Sequence, residues 1–344
     1  MWGIVPHGDE IVADIGYRWP MITLLVGVAA AQQVSFEALT RVQLGQDPSL
    51  TVSAHAPGQL AVALTCGDRR FDWSGRVDAG FSHRVVLGGL PVGRTGCSGS
   101  ARLDAPDGGW AEQPLTFTVA VLPPIAWTVS DQDWDRDRQR LVTHPDRGLK
   151  EARAVAIGAG GQELEVAYAD VSDPSAPTFE LGTTEEIVQI RVTGTDPDGF
   201  TSELLLSPWY YAIPHEDVVF ASGSAEITAA EAPKLEKCWA DVQRVVATYG
   251  SVVPIKLYVA GYTDTVGSDA SNLELSRRRA KAIASWFRSR GFAGEVAWQG
   301  FGEQVLAVPT PDETDAAANR RAVYLLAAQD PPNGPELPRS DWSR

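Results

Sequence analysis

Two residues in the run "YTDTVGSDASNLELSRRRA" have the types needed to grip a small charged guest: Asp264, after the strand-like approach "KLYVAGYT", and Arg279, in a later triple-arginine run. An arginine fork holds a carboxylate through two parallel hydrogen bonds, and an aspartate accepts from an ammonium, so the pair together would recognise an amino-acid head group. The competing reading is an ordinary exposed ion pair, worth about 0 to 1 kcal/mol. Spacing leaves both readings open.

The elements around the pair decide whether the two can meet. "DASNLELSRRRAKAIASWFRSRG" has a helical period. At about 100° per residue Leu273, Ser276, Ala280, Ile283 and Phe287 form one apolar stripe, with Arg279 on its flank and Arg277 and Arg278 turned toward solvent. Gly291 is the expected stop. Asp264 lies in a glycine-flanked turn after a strand, the kind of strand-end crevice where ligands bind in open α/β sheets. Upstream, "VVF" reads as a short buried strand. "TAAEAPKLEKCWADVQRVVATYG" reads as a helix with Leu235, Trp239, Val242, Val245 and Val246 on its stripe, Thr228 as N-cap and Gly250 as stop. With "GEVAWQGFG" and "RRAVYLLAA" the order is β-α-β-α-β-β, which predicts an α+β domain with a mixed sheet.

Ahead of this domain the pattern is different. Short alternating runs over 34–122 ("LTVSAH", "QLAVALTC", "HRVVLGGL", "LTFTVAVL") and over 123–214 ("EARAVAIGA", "QELEVAYADV", "EEIVQIRVTG", "SELLLSPWYYAI") are separated by Gly, Pro and Asp clusters, and "LPPIAW" interrupts them. These read as two all-β, Ig-like sandwich modules, giving a multidomain chain of two sandwiches followed by the α+β domain at 217–329. The end, 330–344, reads as a flexible polar tail. Of the three cysteines, Cys66 and Cys97 share the first β segment with turn signals around both and are expected to form a disulfide; Cys238 then remains as a buried thiol. Trp73 lies between Cys66 and Cys97, as in immunoglobulin-like packing, though closer to Cys66 than in true immunoglobulin domains.

The chain has 344 residues and a formal net charge of −15, with 44% hydrophobic and 21% charged residues. That charge opposes a nucleic acid or an anionic membrane surface as partner. "MITLLVGVAAAQQ" ends like a secretory signal with a cut near Ala31, while the first twenty residues carry acids and only Arg18 as a base. Met21 is therefore the expected start, 21–31 the signal and 1–31 the leader. An irregular leader before a buried first strand is the alternative. No lipid-anchor cysteine follows. Asp131, Asp133, Asp135 and Asp137 alternate as in a calcium loop but lack its glycine and terminal glutamate, and read as a solvated loop. No nucleophile, zinc or phosphate-loop motif is present. No cofactor, no metal and no enzymatic activity are expected, and the β segments do not suit a transmembrane barrel.

The segment 217–329 resembles the OmpA-like C-terminal domain family. Its pattern of a strand, "TDxxG", an Asn, "LSxxRA" and a late "NRR" is met by Thr263, Asp264, Gly267, Asn272, Leu275, Ser276, Arg279, Ala280, Asn319, Arg320 and Arg321. "VVFASGSAEIT" is similar to the family's opening strand and helix entry. The resemblance implies non-covalent binding of peptidoglycan, with Asp264 on the ammonium and Arg279 on the carboxylate of the stem peptide's diaminopimelate. Phe220, Thr263, Asn272 and Arg321 complete the implied site. Thr263 reads as turn support and Asn272 as a helix-entry or loop-bracing residue. Of Arg320 and Arg321, one is expected to brace the site and the other to be solvated. Many members carry Asp after the opening Phe; here Ala221 follows Phe220, leaving backbone groups to serve. The implied location is the periplasm, or the periplasmic face of the outer membrane, of a Gram-negative bacterium. The chain would be a tether whose β modules meet envelope proteins. Alternatives are a structural adhesin or secretion component anchored at the wall, and a wall-anchored enzyme with its site in a β module.

Overall fold

The structure is a computed structural model that describes residues 33–344 apart from 222, 332, 339 and 340. The expected start at Met21 and the leader over 1–31 lie outside these residues. The described chain divides into two compact units: 33–126 with Thr195–Ser202, and Trp127–Gly194 with Glu203–Arg344.

In the first unit Val34–Leu39, Ser49–Ala54 and Ser82–Val86 form one antiparallel sheet. Arg41–Gln43, Trp110–Leu122, Gly93–Asp104, Gly58–Cys66 and Arg69–Val77 form a second, in that order. Period-two alternation buries Leu60, Val62, Leu64 and Cys66 on one face, and Leu50 and Val52 of the other sheet join the same core. Cys66 and Cys97 are bonded, as expected. The immunoglobulin comparison does not carry over, because the two cysteines are directly opposite on adjacent strands of one sheet and do not span two sheets. Trp73 sits on an edge strand, half-buried against this core, with its ring 4.0 Å from the His83 ring.

Most of a four-stranded sheet ordered Glu163–Tyr168, Glu151–Ile157, Gln189–Thr195, Thr201–Leu206 belongs to the second unit, with smaller pairings beside it. Then come β1 (Tyr210–Ala212), α1 (Ala232–Tyr249), β2 (Lys256–Tyr262), α2 (Asp269–Ser289), β3 (Val296–Gly302) and β4 (Ala322–Ala327). The sheet order is β1-β4-β2-β3, with β2 parallel to β3 and the other neighbours antiparallel, so the mixed sheet and the β-α-β-α-β-β order hold.

Four expectations are corrected here. "VVF" (218–220) is not a strand. "SELLLSPWYYAI" instead breaks at Pro208, which has no N–H for a ladder, and its second half becomes β1, the edge strand of the next sheet. The first helix starts at Ala232, not after Thr228. The Thr228 carbonyl closes a turn with the Glu231 and Ala232 amides, and Pro233, with no N–H to satisfy, suits the first helical turn. The described residues of 330–344 are not a frayed tail. Leu337 and Trp342 are buried, Ser343 exchanges both backbone hydrogen bonds with Trp298, and Arg344 makes a two-pronged contact with Asp330 at 2.8 and 2.9 Å.

The reason lies in β2, which is buried on both faces. Leu257 and Val259 pack with α1 and α2, while Tyr258, Ala260 and Tyr262 face the other way and need a cover, which Leu337 and Trp342 supply. On the helix side the core also takes in Val188 and Trp209 from the preceding β elements. Among the described residues no helix is long and apolar enough to cross a membrane.

Candidate functional site

The site begins with how closely α2 lies on the sheet. A Cβ at Gly261 would stand 2.5 Å from the Ser276 carbonyl oxygen, and one at Gly300 would stand 2.3 Å from the Arg277 nitrogen, so only glycine permits this approach. Ser276 fills the contact, donating to the Leu273 carbonyl at 2.9 Å and accepting from the Gly302 amide at 2.9 Å. Ser268 caps the helix by accepting from the Ser271 amide. Gly291, at φ +92°, ends it as expected. Ser276, Ala280, Ile283 and Phe287 are buried as the stripe requires, and Arg279 is buried beside them at 7% exposure.

Arg279 is held by the segment that precedes α1. Its Nε donates to the Ser224 carbonyl at 3.0 Å, its Nη2 to the Ala221 carbonyl at 3.3 Å, and its guanidinium lies over the Phe220 ring at 5.1 Å. Ala221 thus helps hold Arg279 through its backbone carbonyl. Burial draws the Arg279 pKa below the ordinary arginine value; Asp264 opposes that shift and Arg320 adds to it. The three charges form one electrostatic group.

Asp264 is not an unoccupied acid. Its Oδ2 accepts from Arg320 Nη1 at 2.5 Å and from the Ala316 amide at 3.5 Å. Arg320 also bonds Asp315, and the contacts with Asp315 and then Asp264 raise its pKa. Oδ1 of Asp264 accepts no hydrogen bond among the described residues. Arg321, the arginine assigned from sequence, is not the partner of Asp264. It lies over the Tyr262 ring at 4.1 Å and donates to the Val305 carbonyl at 3.2 Å. Neither arginine is simply solvated. Arg320 ends the short 3-10 turn Ala317–Asn319 and Arg321 precedes β4, and of the two only Arg320 bonds Asp264.

Asn272 braces the turn, with Nδ2 donating to the carbonyls of Asp264 (3.3 Å) and Val266 (3.2 Å) and to Glu303 (2.5 Å). Thr263 is buried at 1% exposure, its amide bonded to the Gly302 carbonyl at 2.8 Å. Asn319 is fully buried and ties down the loop before it through both the amide and the carbonyl of Val308.

Asp217, Phe220, Tyr262, Arg279, Arg320 and Arg321 line a cleft of about 160 Å³; Asp264 is not among its lining residues and bonds its wall through Arg320. Asp217 was not legible in the sequence. It accepts from the Ala322 amide at 3.1 Å, and no spacing marks it. The cleft combines guanidinium groups with an aromatic floor and one carboxylate, and can bind a guest carrying both a carboxylate and an ammonium.

The model of the OmpA family matches residues 219–320. Outer membrane protein P5 of Haemophilus influenzae is 32% identical over 118 residues, covering 34% of this chain and 31% of that protein. Outer membrane protein A of Serratia odorifera is 33% identical over 112 residues, 32% of this chain and 44% of that protein. The chain thus spans between about a third and somewhat under half of the length of these relatives. The crystal structure of the peptidoglycan-associated lipoprotein from Burkholderia pseudomallei matches at 21% identity over 32% of this chain and 88% of that chain, with a TM-score of 0.27. Residues 219–320 are an OmpA-family domain, preceded in the chain by β-sheet elements that the family model does not cover.

Proposed function

We propose that the domain binds peptidoglycan non-covalently through the diaminopimelate of the stem peptide. Arg279 takes the carboxylate, and Oδ1 of Asp264, steadied by Arg320, takes the ammonium. The observation that carries this reading is the buried Arg279, fixed by the Ala221 and Ser224 carbonyls against Phe220 at the cleft wall. A buried guanidinium with spare donors favours an anion that brings its own acceptors. Weak capture suffices, because a repeating polymer keeps the local concentration of sites high. The chain acts as a tether without enzymatic activity, in the periplasm or at the periplasmic face of the outer membrane of a Gram-negative bacterium. Its β modules are then presented to envelope proteins. The family match and the names of the relatives support this location.

The test is release of the full-length chain from purified sacculi by free diaminopimelate. Displacement by diaminopimelate, and none by an amine or a carboxylate alone, is expected. Retention that diaminopimelate does not reduce would refute the head-group reading. The full chain is needed because a cut at residue 217 removes β1, whose three residues pair with β4.

A further inference from the structure

A second cleft, of about 220 Å³, lies within the first unit, where two strands of different sheets part. The Thr40 carbonyl accepts from the Ala120 amide at 2.7 Å, and from that bond Val34–Leu39 and Trp110–Leu122 run in different sheets. The Leu44 amide likewise meets the Leu122 carbonyl at 2.9 Å, so even-numbered residues of Trp110–Leu122 turn their N–H and C=O groups to its outer edge. Among the described residues that edge is paired only at 120–122, by Arg41–Gln43. Pro114 has no N–H to offer there, and the Gln113 side-chain amide donates to its carbonyl at 3.4 Å. Thr116 and Thr118, both exposed, keep backbone donors and acceptors that no strand of the described residues meets.

The side chains around this edge differ by face. Phe117 is half-buried and points inward toward Phe36, with ring centroids 6.5 Å apart, and Ala38 completes this apolar side of the cleft. On the other face lie Thr118, Ala120 and the two residues that flank Ala120 on neighbouring strands, Arg94 and Arg41. Arg94 is committed, bonding both carboxylate oxygens of Asp198. Arg41 is exposed and makes no hydrogen bond or ion pair among the described residues. A strand laid along 116–118 would continue the line of Arg41–Gln43. Its residue opposite Phe117 would face the apolar side, and the next one, opposite Thr118, would share a face with Arg41.

We propose that this seam takes up one extended peptide strand of a partner protein, paired with Thr116 and Thr118, with an apolar side chain on Phe36 and Phe117 and the adjacent acidic side chain on Arg41. Main-chain bonds give an added strand its hold, and the side-chain contacts give it selectivity. The free guanidinium of Arg41 repels a cationic residue in the second place and rewards a carboxylate. The same edge of a second copy, "PLTFT", would bring threonines and no carboxylate to Arg41, which disfavours self-pairing. The proposal goes beyond the wall-binding reading and does not rest on it.

The test uses the full-length chain and a blocked, fluorescein-labelled peptide of about eight residues, threonines with leucine and glutamate side by side at the centre. Anisotropy titration to about 1 mM should show saturable binding, and amide hydrogen exchange at Thr116 and Thr118 should slow in the complex. Arg41→Gln, or glutamine for the peptide's glutamate, should weaken binding about tenfold through the loss of one charge-assisted contact. Thr116→Pro removes an outward N–H, as Pro114 already does on the same edge, and should abolish binding. Should that variant lose its native circular dichroism, Arg41→Gln decides alone, since its side chain is exposed. No saturable binding, full affinity in either folded variant, or a dimer in sedimentation that Thr116→Pro dissociates overturns the proposal.

Discussion

Arg320 holds Asp264, Nη1 to Oδ2 at 2.5 Å, while Arg279 turns its Nε and Nη2 to the Ser224 and Ala221 carbonyls. The acid and the buried arginine therefore do not neutralise each other by direct bonding. Each is steadied by a third party.

Arg320→Ala follows from that division of labour. The Arg320 side chain is 37% exposed but the Asp264 side chain only 10%, so removing Arg320 leaves a buried carboxylate without its ion-pair partner and should cost about 1–3 kcal/mol of stability. Its loss leaves the Asp264 carboxylate free to rotate, and retention on sacculi by the folded variant should fall together with a modest drop in the thermal midpoint. Unchanged retention would place Asp264 outside the binding geometry.

Gly300→Ala tests the closeness of α2. A Cβ 2.3 Å from the Arg277 nitrogen forces the helix away from β3, at about 1–3 kcal/mol for such overpacking. Because α2 carries Arg279, urea denaturation and sacculus retention should both show the loss.

Trp342→Ala tests the cover on the far face of the sheet. Trp342 is 7% exposed and meets the Tyr258 ring edge-on at 5.0 Å. Truncating a buried tryptophan costs about 3 kcal/mol or more, so the unfolding midpoint in urea should drop clearly. A frayed tail would give no change.

Much of this arrangement was readable from local pattern. The stripe on α2, the glycine that ends it, the arginine on its flank and the disulfide all depend on residues near in sequence or on turn signals beside them. What escaped depends on distant partners. Three residues cannot announce a strand by alternation, so nothing local marked Tyr210–Ala212, after the break at Pro208, as the segment that pairs with Leu325–Ala327. Leu337 and Trp342 are isolated apolar residues without a period, and only the doubly buried β2 explains their burial. Arg320 and Arg321 are alike in type and adjacent, and nothing local marked Arg320 as the one that reaches Asp264.

Cys238 gives a pH prediction. Burial pushes its thiol up from 9.0 to about 11, and Sγ donates to the Lys234 carbonyl. A raised folded-state pKa means the contribution to stability is whole below about pH 9 and is lost as pH rises through about 11. At pH 8 an aromatic disulfide reagent should label the native thiol only as fast as the domain opens. Between pH 9 and 11 the wild-type midpoint should fall more than that of Cys238→Ala. Rapid labelling at pH 8 would contradict the burial.

Co-sedimentation of the full-length chain with purified sacculi, comparing wild type with Arg279→Ala and Arg279→Lys, tests the central claim most directly. Lysine keeps the charge but lacks the planar fork that bonds two carbonyls and still offers donors to a carboxylate. Wild type should pellet with the sacculi, and both folded variants should remain in the supernatant. Full retention of either folded variant would contradict the assignment of Arg279 as the group that holds the cell-wall carboxylate.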